Sequence, residues 1–164
     1  MKLFVLIIII KGYVSYFVPL TGTLTRSSIL KTSYLLTNTY PTPVLYLNTI
    51  GGDVHAGIHL MNVLLEMNNV TCIAKKAHSM GFAIFQTCKY RYILPDSDLM
   101  QHQIQLRFKG TLSFAVLFIQ NTVRIHEWIL EIQASKLKVP SKLLDIRLLL
   151  GDWYLNSSEA ITYN

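Results

Sequence analysis

The sequence predicts an α/β domain in which much of the sheet is parallel, and three observations predict it. Short apolar runs of strand length alternate with segments of helical periodicity. Glycine and proline turns punctuate them, at Thr21-Gly22-Thr23, Pro41 and Pro43, Gly51-Gly52 and Pro95. The chain's 164 residues are 51% hydrophobic, with no repeat, low-complexity stretch or linker, so one domain can bury a real core between sheet and helices.

Met1-Lys2 followed by Leu3 to Ile10 joins a positive start to a short apolar run, as a secretory signal does. No small-x-small cleavage pattern follows, and Lys11-Gly12-Tyr13 interrupts the run before transmembrane length. A buried β-branched strand and a targeting segment both fit. Residues 1–12 are therefore set apart as an apolar N-terminal segment, expected to be retained as structure, from a domain over 13–164.

Tyr13 to Leu20 is β-prone, with Pro19 placing its end at an edge or turn and Thr21-Gly22-Thr23 breaking the pattern. Leu24, Ile29, Leu30, Tyr34, Leu35 and Leu36 recur at helical spacing, predicting a Ser- or Thr-capped helix over Arg26 to Asn38 that Pro41 and Pro43 end. Val44 to Asn48 reads as a strand, Thr49 to Asp53 as a turn and Ala56 to Met67 as a helix. Val70 to Ala74 is a further strand, and an apolar helix is expected from about Met80 to Tyr90. Tyr92 to Leu94 and Leu99 to Gln103 read as short strands on either side of a turn, Pro95 to Asp98. A long apolar helix, Thr111 to Lys136, is followed by another over Ser141 to Leu150 with Pro140 in its first turn. Ser157-Ser158-Glu159-Ala160 is a cap and a helix start.

Charged residues make up only 15% and mean hydropathy is +0.36, so apolar surface beyond the core is expected to meet a partner or a membrane. The formal charge of +6 comes from scattered bases, which excludes a reading as a nucleic-acid binder. Cys72 and Cys88 are too few for a disulfide framework and lack metal-ligand spacing; buried reduced thiols are expected, as in an intracellular compartment.

The chemistry centres on Lys75-Lys76-Ala77-His78-Ser79-Met80-Gly81-Phe82-Ala83, where a β-rich stretch meets a helix. A serine at such a junction is exposed by the turn, and the first N–H groups of the helix have no intrahelical partner, so they can face an oxyanion. The plainer alternative is an N-cap serine. Gly51-Gly52 lets backbone N–H groups approach a ligand atom, although a turn alone would use it too. His102 and Asp152 also fall at element ends, where sites gather in such sheets.

Four segments in this order resemble the proteolytic subunit of the Clp protease, the ClpP family, within the ClpP/crotonase-like fold. Tyr46-Leu47-Asn48-Thr49-Ile50-Gly51-Gly52-Asp53-Val54 is similar to I-N-S-P-G-G-x-V, and Ala77-His78-Ser79-Met80-Gly81 to A-A-S-M-G. Leu94 to Gln103 resembles L-P-N-S-x-x-M-x-H-Q, and Asp152 to Ala160 resembles D-x-x-F-x-S-A-x-E-A. The likeness runs from about Tyr16 to Ala160. It implies repeated ββα-type units with a protruding long handle helix. By position it implies Ser79 as nucleophile, His102 as general base, Asp152 as the residue orienting the histidine, and the N–H groups of Gly52 and Met80 as oxyanion hole. It also implies rings of ClpP-like subunits, an AAA+ unfoldase that uses the ATP, unfolded polypeptide substrates, and no cofactor or metal in this subunit. The setting would be intracellular, in the cytoplasm or an organelle's stroma or matrix.

Departures from the family pattern are specific. Ile50 and Ile104 stand where prolines are usual, Gln103 to Gly110 lacks a glycine pair, Gly151 replaces an arginine, and a final strand after Glu159-Ala160 has no counterpart. An inactive ring subunit is thus a second expectation. A crotonase-type acyl-CoA enzyme is a third, opposed by the lack of Glu or Asp near Ser79.

Overall fold

The computed structural model describes residues 7–10, 13–39 and 43–163, with side chains from Tyr16 onward. Met1 to Leu6 lie outside the described residues, so only the end of the N-terminal apolar run is placed: Ile7–Ile10 is a strand, β1.

The remaining strands are β2 (Tyr13–Leu24), β3 (Pro43–Gly52), β4 (Thr71–His78), β5 (Tyr90–Gln101) and β6 (Trp153–Asn156). They form one sheet in the order β1-β2-β3-β4-β5-β6. β2 to β5 are parallel and β1 and β6 join the two edges antiparallel. The crossovers are helical, with α1 (Arg26–Thr37), α2 (Val54–Met67) and α3 (Met80–Thr87) in turn. After β5 come α4 (Leu112–Leu137) and α5 (Ser141–Leu149), and α6 (Ser157–Ile161) follows β6. The α/β, ClpP-like architecture expected from the sequence is therefore present.

Local chemistry starts each crossover helix. Thr25 and Ser28 form a reciprocal capping box ahead of α1, which buries Ile29, Thr32, Ser33 and Leu36 at helical spacing. Asp53 accepts from the Ala56 N–H at 2.9 Å to start α2, which buries Ala56, Gly57, Leu60, Met61 and Leu64. α3 is buried at every position, between the sheet and α2 and α4; it is apolar from Met80 to Phe85 and ends in the buried polar pair Gln86 and Thr87. In α4 the buried residues, Ile129, Leu130, Gln133, Ala134 and Leu137, all fall in the C-terminal part. Leu112, Phe114, Val116, Leu117, Ile119 and Val123 remain exposed.

Several sequence expectations are corrected. Thr21-Gly22-Thr23 does not end its strand: Gly22 pairs with Thr49 and Thr23 with Gly51, so the register shift there is a bulge of β3 at Ile50, and the Thr49 hydroxyl donates to the Gly22 carbonyl at 2.6 Å. Pro19 does not end its strand either: it lies inside β2, opposite Tyr46 of β3, and the strand runs on to Leu24. β4 extends to His78, and α3 stops at Thr87 rather than Tyr90.

The two short strands around Pro95 are one, β5. Residues 94–97 bulge out opposite the single residue Lys75, between the pairs Ala74–Ile93 and Lys76–Asp98. The Ser97 hydroxyl donates to the Ala74 carbonyl at 2.6 Å, and the Ser157 hydroxyl lies 2.7 Å from the Leu94 carbonyl oxygen and 2.8 Å from that of Pro95. The polar groups freed by the bulge thereby keep partners. β6 was not anticipated at all, being only four residues long. Pro140 is the N-cap of α5 rather than in its first turn, and Asn156, not Ser157, caps α6.

The reduced-thiol expectation is also overturned. Cys72 of β4 and Cys88 at the end of α3 form a disulfide, their Cα atoms 6.0 Å apart. The cause is topological: α3 folds straight back along β4, so residues separated by 16 in sequence become neighbours. An intracellular location no longer follows from the cysteines.

Candidate active site

β4 ends at His78 and α3 begins at Met80, so one residue, Ser79, makes the whole turn. Its φ of 55° and ψ of −123° put a side chain where L-residues rarely go. Such a conformation costs about 1–3 kcal/mol and persists only where neighbours enforce it. Here the Ser79 N–H donates to the Met100 carbonyl of β5 at 2.8 Å, and its own carbonyl accepts from Phe82 at 2.9 Å and Ala83 at 3.3 Å. The hydroxyl makes no capping hydrogen bond. Ser79 thus occupies the cap position without doing the work of a cap.

Gly51 fits beneath it. A Cβ on Gly51 would stand 2.7 Å from the Ser79 Cβ, 2.7 Å from the His78 carbonyl oxygen and 3.2 Å from the Met80 nitrogen, and its φ is +88°. Only glycine brings β3 this close to the serine. Met80 is the first residue of α3, so its N–H has no acceptor within the helix. Gly52 is adjacent, its backbone packed on that of Leu24.

The antiparallel pairing of β5 with β6 runs Asp98–Asn156, Leu99–Leu155, Met100–Tyr154 and Gln101–Trp153. His102 directly follows the last paired residue of β5, and Asp152 directly precedes the first of β6, so both stand at the same end of this ladder. The structure therefore gathers Ser79, His102, Asp152, Gly52 and Met80 at one end of the sheet, the C-terminal end of its parallel strands. His102 is half-buried and Asp152 exposed. Among the described residues no hydrogen bond joins Ser79 to His102 or His102 to Asp152. Apo sites commonly show such unclosed contacts.

Beside His102, Gln103, Ile104 and Leu106 face Ile119, Thr122, Val123 and His126 of α4 across a cavity of about 180 Å³. Ile104, which stands where proline is usual, thus supplies apolar lining. His126 lies 3.2 Å from Asp145, tying α4 to α5 behind this cavity. Gly151, where an arginine is usual, has a φ of +128°, a backbone that a side chain would strain.

The Clp protease family model matches residues 19–164. The chain belongs to the Clp protease family. No curated protein matches it. The match takes in β3, β4, β5, β6 and the helices between and after them, so the family assignment covers every element of the site just described. Among the described residues of this ClpP-type peptidase domain, Ser79 is one of three non-glycine residues with a positive φ, with Asn68 and Lys138.

Some residues around the site escaped sequence reasoning. His78 Nε2 lies 2.8 Å from Asp98 Oδ2, an ion-pair approach without hydrogen-bond alignment, and Lys76 Nζ lies 3.4 Å from the same oxygen. Burial pushes the Asp98 carboxyl up, but His78 and Lys76 outweigh it and hold the group below its ordinary value. The signal was present in the alternation of Lys76 and His78 on one strand with Asp98 on the next. Gln101 and Gln133 are both buried and joined amide to amide at 3.2 Å, linking the last residue of β5 to α4. Nothing in the sequence pairs these two. Among the described residues no group of three or more His, Cys, Asp or Glu is placed to hold a metal ion, and no helix is long and apolar enough to cross a membrane.

Proposed function

We propose that this Clp-family chain is a serine endopeptidase subunit that cleaves unfolded polypeptides through an acyl-enzyme. The observation that carries this is the backbone of Ser79: a strained, enforced turn presents a hydroxyl without a structural role at the sheet end where the β5–β6 register delivers His102 and Asp152. In the reaction, His102 takes the serine proton as Ser79 Oγ attacks the scissile carbonyl carbon. The carbonyl oxygen becomes an oxyanion, held by the N–H groups of Gly52 and Met80. Asp152 fixes the imidazole tautomer and stabilises the imidazolium, which then gives its proton to the leaving amine. Water, deprotonated by His102, releases the acyl group by the same steps in reverse order. The cavity between Ile104 and α4 accommodates an apolar substrate side chain next to the scissile bond.

The exposed apolar run at the start of α4 supports burial against further copies of the chain, in ring assemblies that stack through this helix. An AAA+ unfoldase would then feed the chamber and use the ATP, in the cytoplasm or an organelle's stroma or matrix. Peptide hydrolysis by the assembled protein tests the reading. Ser79→Ala and His102→Ala each abolish it, and combining them adds little, because triad members act as a unit.

A second reading, an inactive ring subunit, draws on the missing hydrogen bonds among Ser79, His102 and Asp152 and on the exposure of Asp152. It predicts assembly without hydrolysis by any variant.

A further inference from the structure

His78 is the residue that joins the strained turn to the two strands carrying the other catalytic groups. It stands where the A-A-S-M-G segment has alanine, and it is the last residue of β4, directly before Ser79. Its register partner on β5 is Met100, whose carbonyl holds the Ser79 N–H, and Met100 is paired in turn with Tyr154 on β6. His78 and Tyr154 close over this row edge to face, ring centroids 6.0 Å apart. One pleat back, Asp98 meets His78 at 2.8 Å and Lys76 at 3.4 Å. One pleat forward, on the same face by the two-residue period of a strand, come His102 of β5 and Asp152 of β6.

We propose that His78, clamped by Asp98 and Tyr154, is a positioning residue for catalysis, fixing Ser79 against the strands that carry His102 and Asp152. The proposal rests on the serine-peptidase reading and deepens it. The His78 side chain is only 12% exposed, so its contacts are held by packing rather than left to solvent. Because Ser79 adopts a conformation that neighbours must enforce, loss of the clamp acts first on the bond from the Ser79 N–H to Met100. The charged and titratable groups beside His78 on this face are Lys76, Asp98 and Tyr154, with His102 and Asp152 one pleat further on, and Asp98, outside the triad, is the natural second site for a cycle of substitutions.

The test compares wild type, His78→Ala, His78→Gln, Asp98→Ala and the Ala double variant in the assembled protein. Two readouts are followed, hydrogen exchange at the Ser79 amide and the kcat and KM of peptide hydrolysis. The clamp predicts about tenfold faster exchange in His78→Ala and Asp98→Ala, with kcat falling about tenfold at unchanged KM. The double variant is no worse than either single, and His78→Gln, which keeps an amide donor near the Nε2 position, recovers most of both. Exchange at Ser79 unchanged in folded His78→Ala overturns the clamp, whatever the activity. Faster exchange with kcat unchanged overturns its role in catalysis. If wild type shows no hydrolysis while exchange responds as predicted, the clamp stands as a structural device, and both the peptidase reading and the catalytic role of His78 fall.

Discussion

Gly51 and Ser79 meet so closely that a Cβ on the glycine would lie 2.7 Å from the Cβ of the serine. No rotamer relieves this, because Cβ is fixed by the backbone at both residues. Contact between the end of β3 and the β4–α3 turn therefore depends on a hydrogen atom where other residues have carbon.

Gly51→Ala is expected to destabilise the fold by about 2–5 kcal/mol, the sum of a left-handed alanine and an overpacked contact. Chemical denaturation measures it. A loss under about 0.5 kcal/mol, the range of an ordinary surface substitution, would show that the turn yields freely.

The Cys72–Cys88 disulfide closes the segment that contains Ser79. Reducing it is expected to cost roughly 3 kcal/mol through the freed entropy of the unfolded chain. Thermal melting with and without reductant checks this, using Cys72→Ala/Cys88→Ala as the control that reductant leaves unchanged.

Asp98 carries a pH dependence whose sign follows from its lowered carboxyl value. A carboxylate that binds its proton less readily when folded stabilises the native state above its unfolded value. That contribution is lost as the pH falls through the lower folded value. Wild type is accordingly expected to lose stability more steeply below about pH 4 than Asp98→Asn does. Parallel acid titrations of the two proteins, followed by circular dichroism, make the comparison.

Gln133 is fully buried and bonds to Gln101, whose own carbonyl oxygen and the Gln133 amide nitrogen have no further partner. Gln133→Leu alone strands the Gln101 amide and is expected to cost about 1–3 kcal/mol, whereas leucine at both positions restores most of the loss. Equilibrium unfolding of the three proteins distinguishes a needed polar pair from a replaceable one.

Much of the fold was legible because helix periodicity and caps are local properties. Thr25, Asp53 and Thr111 each stand one residue before the helix they start. Strand ends were read poorly because long-range contacts decide them. Gly22 continues its strand beside a bond from Thr49, and Pro95 sits in a bulge tied to other elements by the bond from Ser97 to Ala74 of β4 and by Ser157 of α6. β6 is only four residues long and owes its pairing to β5, so no local pattern marks it. At the site, motif order singled out Ser79 and the pair Gly51-Gly52 but not the contact between Gly51 and Ser79, which exists only once β3 and β4 are side by side. The pairing of Cys72 with Cys88 and the clamp on His78 could not be read from it either, since both arise when α3 and β5 fold against β4.

The central claim, that Ser79 is the nucleophile, is tested most directly by exposing the assembled protein to a fluorophosphonate and locating the adduct by peptide mass spectrometry. The account predicts one phosphonylated residue, Ser79, with labelling lost in His102→Ala and strongly slowed in Asp152→Asn while circular dichroism shows both variants folded. An adduct on another serine, or none on folded and assembled wild-type protein, would contradict it.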